Sequence, residues 1–195
     1  MEKRGLADQL KAVGCQNTST LYWADEMRVG LIGHTRKVWA PVGIKVKQAR
    51  EYKREWSYLN LAVNVSTGQL QWDWTPNMKG ESISPVVQQW QTHGAEIIVW
   101  DGARGHRGTA YTDLSLKFIV QPPYSPELNP VERIFEYLRD KVEGEVYGTI
   151  LNKKKAIEAT LNALSSNPTQ ILGLVGWQWI HDALAPFHFS NTVFP

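Results

Sequence analysis

Four consecutive apolar residues, Ile97-Ile98-Val99-Trp100, constrain the fold of this chain more than any other stretch. Side chains of a strand alternate between its two faces, so a run that is apolar throughout must be covered on both sides. That is the situation of a central strand with parallel neighbours in an α/β sheet. Parallel neighbours require a crossover. Gly105 to Ser115 is long enough to carry one with a short helix, and Lys117-Phe118-Ile119-Val120 reads as the strand that follows. Asp101 then falls at the carboxyl end of the central strand, where open α/β sheets bind their ligands. A turn aspartate before Gly102 would look the same.

The remaining elements are arranged around that strand. Leu21-Tyr22-Trp23-Ala24 is a short strand-forming run leading into the acidic pair Asp25-Glu26, and Arg28 to Gly33 and Lys37 to Val42 read as further strands around a polar turn. Leu59, Leu61, Val63 and Val65 alternate with polar or small residues. The alternation resumes at Leu70, Trp72 and Trp74 after Ser66-Thr67-Gly68, which predicts a hairpin with one buried face. Ile83 to Trp90 and Asn152 to Leu164 have helical patterns, the latter with Lys153, Lys154 and Lys155 in its first turn, where solvent is the simplest partner for cations. Glu2 to Val13 is weakly helical and reads as a lead-in rather than a core element. Ile171 to Pro195 carries Trp177, Trp179, Phe187, Phe189 and Phe194, more aromatic area than an idle tail needs. Packing onto the core is favoured over a subunit interface.

Gln121 to Gly144 joins two unlike halves. Pro122, Pro123 and Pro126 exclude regular structure, whereas from Asn129 the chain has a favoured cap, a proline suited to the first helical turn, and an apolar stripe of Val131, Ile134, Phe135, Leu138 and Val142. Glu132 in that first turn has two readings. It closes a capping box with Asn129, or it faces a cleft and shares a metal with carboxylates elsewhere, for which Asp25 and Asp101 are the candidates. Three carboxylates so far apart in sequence converge only if the first strand lies beside the central one and the last helix packs against both. This order of meander, helix, central strand, crossover, short strand and helix is that of an RNase H-like fold: α/β, with a mixed central sheet flanked by helices. Hard carboxylate oxygens suit Mg²⁺, and such a site needs neither histidine nor cysteine.

Composition bounds these readings. At 195 residues, 43% of them apolar, the chain can bury a sizeable core in one domain. A formal charge of +2 does not announce nucleic-acid binding, so the grouping of positive charge matters more than its sum. The densest group is Lys45, Lys47, Arg50, Lys53 and Arg54, which reads either as a solvated loop or as a phosphate-binding run. The single cysteine, Cys15, excludes an internal disulfide framework and a cysteine-rich zinc cluster and fits a reducing, intracellular compartment. The longest greasy stretch, Ile171 to Ile180, is shorter than a membrane span and contains Gln178, so no membrane association is expected.

The motifs Y-W-A-D-E-M-R-V-G-L at Tyr22 to Leu31, V-W-D-G-A-R-G-H at Val99 to His106 and P-P-Y-S-P-E-L-N-P-V-E at Pro122 to Glu132 resemble the three signatures of the DDE transposases of the mariner superfamily, with the bacterial insertion-sequence family numbered six-thirty as the nearest branch. The chain departs from many of these relatives in having Gly102 where they have Asn. The resemblance implies that Asp25, Asp101 and Glu132 are a catalytic triad binding two divalent cations, Mg²⁺ or Mn²⁺. It further implies that double-stranded DNA is cut and rejoined at transposon ends, with TA as the target dinucleotide. Arg104, Arg107 and the run from Lys45 to Arg54 become candidate phosphate contacts. His106 either assists near Asp101 or is a plain structural or surface histidine. On this reading residues 1–20 are a lead-in or linker remnant, 21–165 the catalytic domain and 166–195 an aromatic-rich extension packed on it. The family's N-terminal helix-turn-helix region is expected but does not fit in the residues before Leu21, and a homodimer is left open. The address implied is the bacterial cytoplasm, at the nucleoid when DNA is bound. An RNase H-like nuclease without strand transfer and a catalytically silent DNA-binding remnant are the alternatives.

Overall fold

The sheet is built outward from the central strand. The computed structural model describes residues 3–32, 39–47, 49–106 and 108–187. Its elements run α1 (Lys3–Ala12), β1 (Leu21–Gly30), β2 (Trp56–Val63), β3 (Leu70–Thr75), α2 (Gly80–Thr92), β4 (Ile97–Trp100), β5 (Lys117–Val120), α3 (Val131–Val142), α4 (Ile150–Ser165), α5 (Pro168–Val175) and α6 (Gln178–Leu184). β4 lies between β1 and β5, parallel to both, and β2 and β3 extend the sheet antiparallel beyond β1, giving the order β3-β2-β1-β4-β5. The continuous apolar run of β4 is thus accounted for: all four of its residues are buried.

Period two divides the core into layers. Even-numbered residues of β1 and β4, among them Tyr22, Ala24, Ile98 and Trp100, face Ile83, Val87 and Trp90 of α2. Odd-numbered ones, Leu21, Trp23, Ile97 and Val99, belong to a larger core with Ile134, Phe135 and Leu138 of α3 and Ile157 and Leu161 of α4. Each such aliphatic or aromatic side chain contributes about 1.5–3 kcal/mol when fully buried.

Several expectations change in the folded chain. Arg28 to Gly30 continue β1 instead of starting a new strand, because the antiparallel register with β2 runs unbroken from Trp23↔Val63 to Gly30↔Trp56. Trp39 to Val42 are not a strand, consistent with Pro41 lacking a ladder donor, and Lys37 lies outside the described residues. β2 is buried on both faces: Ala62 packs on the α2 side, and the Asn60 Nδ2 donates to Thr75 Oγ1 at 2.9 Å, while its Oδ1 is buried without a hydrogen bond. The crossover after β4 holds two 3₁₀ turns, Arg104–His106 and Thr109–Tyr111, separated at Gly108, whose φ of 102° no helix accommodates. Lys153 is not solvated. It is buried and donates to Glu143 Oε1 and to the Gly30 carbonyl, both at 2.9 Å, tying α4 to the end of β1. Leu6 and Leu10 of α1 are fully buried, so the segment read as a lead-in supplies core residues. The C-terminal helices contribute Ile171, Val175, Ile180, Leu184 and Phe187 to the larger core, while Phe189 and Phe194 lie outside the described residues. No helix among the described residues is long and apolar enough to cross a membrane.

Candidate active site

The parallel register of β1 and β4 sets Leu21 beside Ile97 and Trp23 beside Val99. Continued two residues, it puts Asp25 at the level of Asp101, and both have the odd parity of the α3 face. Two strands of a sheet running in the same direction therefore deliver two carboxylates to one edge. The third wall is the proline-rich loop and the start of α3. Asp25, Asp101 and Glu132 all line one cavity of about 620 Å³, together with Gly102, Ala103, Gln121, Pro122 to Pro126 and Asn129. Its described lining includes no Lys, Arg or His.

Asn129 does more than start a helix. Its Oδ1 accepts the Val131 N–H at 3.1 Å, while its Nδ2 donates to the Ala24 carbonyl and to Asp25 Oδ2, each at 3.1 Å. One amide thus pins the helix start to β1 beside the first acid. The capping box expected as one reading of Glu132 is not formed, because the Asn129 N–H donates to the Pro126 carbonyl at 2.9 Å. Glu132 instead makes a long ion pair with Arg139 at 3.8 Å. Asp25 accepts the N–H of Glu26 at 2.8 Å through its other oxygen, yet its pKa is pushed up to about 7. Burial is the main cause, followed by the negative charges of Glu26, Glu132 and Asp101. All of these carboxylates are close enough to repel it.

Asp101 is held from the other layer of the sheet. Its Oδ1 accepts the Ala103 N–H at 2.9 Å and lies 2.8 Å from His106 Nδ1, and His106 Nε2 lies 2.9 Å from Glu26 Oε1. Both ring nitrogens face carboxylate oxygens, so both donate, and the ring is an imidazolium. Burial alone would lower the His106 pKa, but the hydrogen bonds its ring donates to Asp101 and Glu26, with the charge of Glu26, raise it to about 10. The ring stacks on Trp100 with centroids 4.2 Å apart, and the Tyr111 hydroxyl donates to the Gly105 carbonyl at 2.6 Å. Gly105 permits this packing, since a Cβ there would stand 2.3 Å from the Met78 carbonyl oxygen. Gly105→Ala is therefore expected to cost about 1–3 kcal/mol in urea unfolding, the usual effect of overpacking.

The basic candidates lie apart from this cavity. Arg104 borders a separate depression with Lys79 and Glu81, and Arg107 lies outside the described residues. Within the run, Lys53 donates to the Gly148 carbonyl at 2.5 Å and Arg50 stacks over Tyr52, whereas Lys45 and Lys47 are exposed. Arg54 lines a second cavity with Arg28 and Arg139, reached along α3 from Glu132. Sequence reasoning missed Glu26 and Asn129 as partners of the acids, and Tyr124, which is fully exposed on the cavity lining with a left-handed φ of 58°. As the side chains stand, no group of three or more His, Cys, Asp or Glu among the described residues is spaced to hold one ion. Asp25 and Asp101 are held by separate donors, Asn129 for the first and His106 for the second.

A family model described as DDE superfamily endonuclease matches residues 20–150, a span that contains all three cavity acids. The chain belongs to the DDE superfamily endonucleases. The fold of this DDE domain resembles that of the Mos1 transposase paired-end complex with left transposon end, at 12% identity and a TM-score of 0.63, covering 94% of this chain and 59% of that one. The Mos1 Strand Transfer Complex gives 11% identity and 0.63 over 97% and 62% of the two chains, and the Mos1 mariner paired-end complex with Mn gives 12% and 0.63 over 97% and 63%. The DDE domain thus spans about three fifths of the Mos1 chains and shares their RNase H-like architecture. No curated protein sequence matches it.

Proposed function

We propose that this DDE domain is the catalytic part of a transposase, which cuts DNA at transposon ends and joins the freed ends to target DNA. Asp25, Asp101 and Glu132 are its metal-binding acids. The observation that carries the reading is the cavity, where acids delivered by β1, the end of β4 and the start of α3 meet with no basic side chain in the described lining. Its carboxylate donor set fits Mg²⁺ or Mn²⁺, and the upward shift of Asp25, caused first by burial and then by the neighbouring carboxylates, is what a divalent cation would oppose. Asp25, Asp101 and Glu132 would hold two such ions, which would supply activation of a hydroxyl nucleophile and stabilisation of the leaving oxygen of a phosphodiester. The chain's own part is to hold the acids. Asn129 fixes Asp25, and the imidazolium of His106 fixes Asp101.

Family membership supports the endonuclease step. Strand transfer is supported more distantly, by the likeness of fold to Mos1 structures solved with a transposon end, as a strand transfer complex, and with Mn or Mg. The test is incubation with Mn²⁺, labelled duplex bearing the element's terminal sequences, and a TA-containing target plasmid. Joined products are expected. Nicked ends that never join would reduce the domain to a nuclease, and binding without cleavage would reduce it to a silent DNA-binding domain.

The exposed positive side chains of the basic run are the proposed contacts for duplex DNA outside the cavity. Lys45, Lys47 and Arg54 are exposed, and each phosphate contact contributes about 0.9 to the slope of log affinity against log salt. Replacing the three by Gln is expected to flatten that slope by up to about 3. An unchanged slope would return the run to a solvated loop.

A further inference from the structure

Glu26 is not among the residues lining the cavity, yet its side chain is almost wholly enclosed. Its side chain is 2% exposed and that of its partner His106 is 1% exposed, whereas Asp101 on the far side of the ring is 53% exposed. Successive residues of a strand face opposite ways, so Asp25 points to the α3 face and Glu26 to the α2 face. Glu26 meets His106 Nε2 with both oxygens, at 2.9 and 3.0 Å, and His106 Nδ1 reaches Asp101 at its side-chain Oδ1 (2.8 Å) and at its own carbonyl (3.1 Å). The imidazole is a flat, two-ended link, and its plane is set by the near-parallel stack on Trp100, 4° between planes.

We propose that Glu26 is a positioning residue for Asp101, acting through His106: it fixes the ring from a closed, dry layer so that the ring fixes a carboxylate exposed to solvent. Asp101 stands just past the end of β4, where no strand pairing holds it, while Glu26 stands inside β1 with its Cα paired to Asn60. The chain Glu26–His106–Asp101 thus carries the rigidity of the sheet out to the loop. This inference rests on the reading of Asp101 as a metal-binding acid. Outer partners of this kind, when removed, cost about 10–100-fold in metal affinity or activity.

The test is direct Mn²⁺ binding without DNA, by electron paramagnetic resonance, alongside cleavage rates and metal-free melting temperature. Glu26→Ala is expected to weaken Mn²⁺ binding by about 10–100-fold. Glu26→Gln, whose carbonyl still accepts from Nε2, should restore it to within about threefold, because the retained bond keeps the ring in place. Equal losses in the two variants, or unchanged Mn²⁺ binding in a folded Glu26→Ala protein, overturn the proposal. Should Glu26→Ala fail to fold, the unaltered metal-free protein decides. Nuclear Overhauser contacts from the His106 ring C–H protons to the Glu26 side chain and to the Trp100 indole are expected, and a ring without them overturns the link. Asp101→Asn is run in parallel. If it too leaves Mn²⁺ binding intact, the reading of the site has failed; if only the Glu26 variants bind normally, the positioning role has failed and the site stands.

Discussion

Glu132→Gln is expected to abolish DNA cleavage, by about 10³-fold or more, while leaving the metal-free fold within about 1 kcal/mol of the parent. The large effect follows from removing one of the three acids on the cavity, since metal-ion stabilisation of a phosphodiester transition state is worth several kcal/mol. The small one follows from the contacts. Glu132 does not cap α3, because the Asn129 N–H is already taken by Pro126, and its ion pair with Arg139 is long and partly exposed. Losing it costs little beyond a weak interaction with the helix dipole. Mn²⁺ should raise the melting temperature of the parent more than that of the variant, since a ligand stabilises only the state that binds it. A Glu132→Gln protein that cleaves and responds to Mn²⁺ like the parent would remove Glu132 from the site.

Asp25→Asn is expected to make the metal-free protein more stable than the parent at pH 8, by up to about 4 kcal/mol. The sign follows from the direction of the shift. The folded carboxyl titrates near 7, above its ordinary value of 3.8, so between these pH values the native state holds a proton that the unfolded chain has released. The associated stability is present below about pH 4 and is lost as pH rises through 7, leaving a charged, buried carboxylate facing Glu26, Glu132 and Asp101. The Asn variant lacks this loss. His106, raised to about 10, adds a decline between about pH 6.5 and 10 that both proteins share, so the difference between their urea-unfolding profiles isolates Asp25. Mn²⁺ should reverse the order at pH 8. Parallel profiles across pH 4 to 8 would mean that Asp25 is not under this repulsion.

The parts legible in the sequence were those governed by local periodicity. The apolar run of β4 declared a central strand, the alternation around Ser66-Thr67-Gly68 declared a hairpin, and acids at the ends of such elements were visible as candidates. What escaped was set by contacts distant in sequence. Lys153 reads as a surface cation until Gly30 and Glu143 are brought to it, and Glu132 reads as a cap until Pro126 takes the N–H it would have used. Glu26 stood beside Asp25 in the sequence, but only the parity of β1 sends the two acids to opposite layers, and only the 3₁₀ turn at Arg104–His106 brings a histidine to meet it. Period two could have flagged that split in advance.

The strand lengths impose a mechanical asymmetry on the cavity. β1 runs five residues beyond Asp25, to Gly30, whereas β4 stops at Trp100, one residue before Asp101. One aspartate is therefore woven into the sheet, and the other hangs on a glycine-containing loop steered by a side chain. Asp25 takes its placement from strand pairing and Asp101 from the His106 side chain, so a change in the β1 register would displace the first acid and a change in the 3₁₀ turn at Arg104–His106 the second.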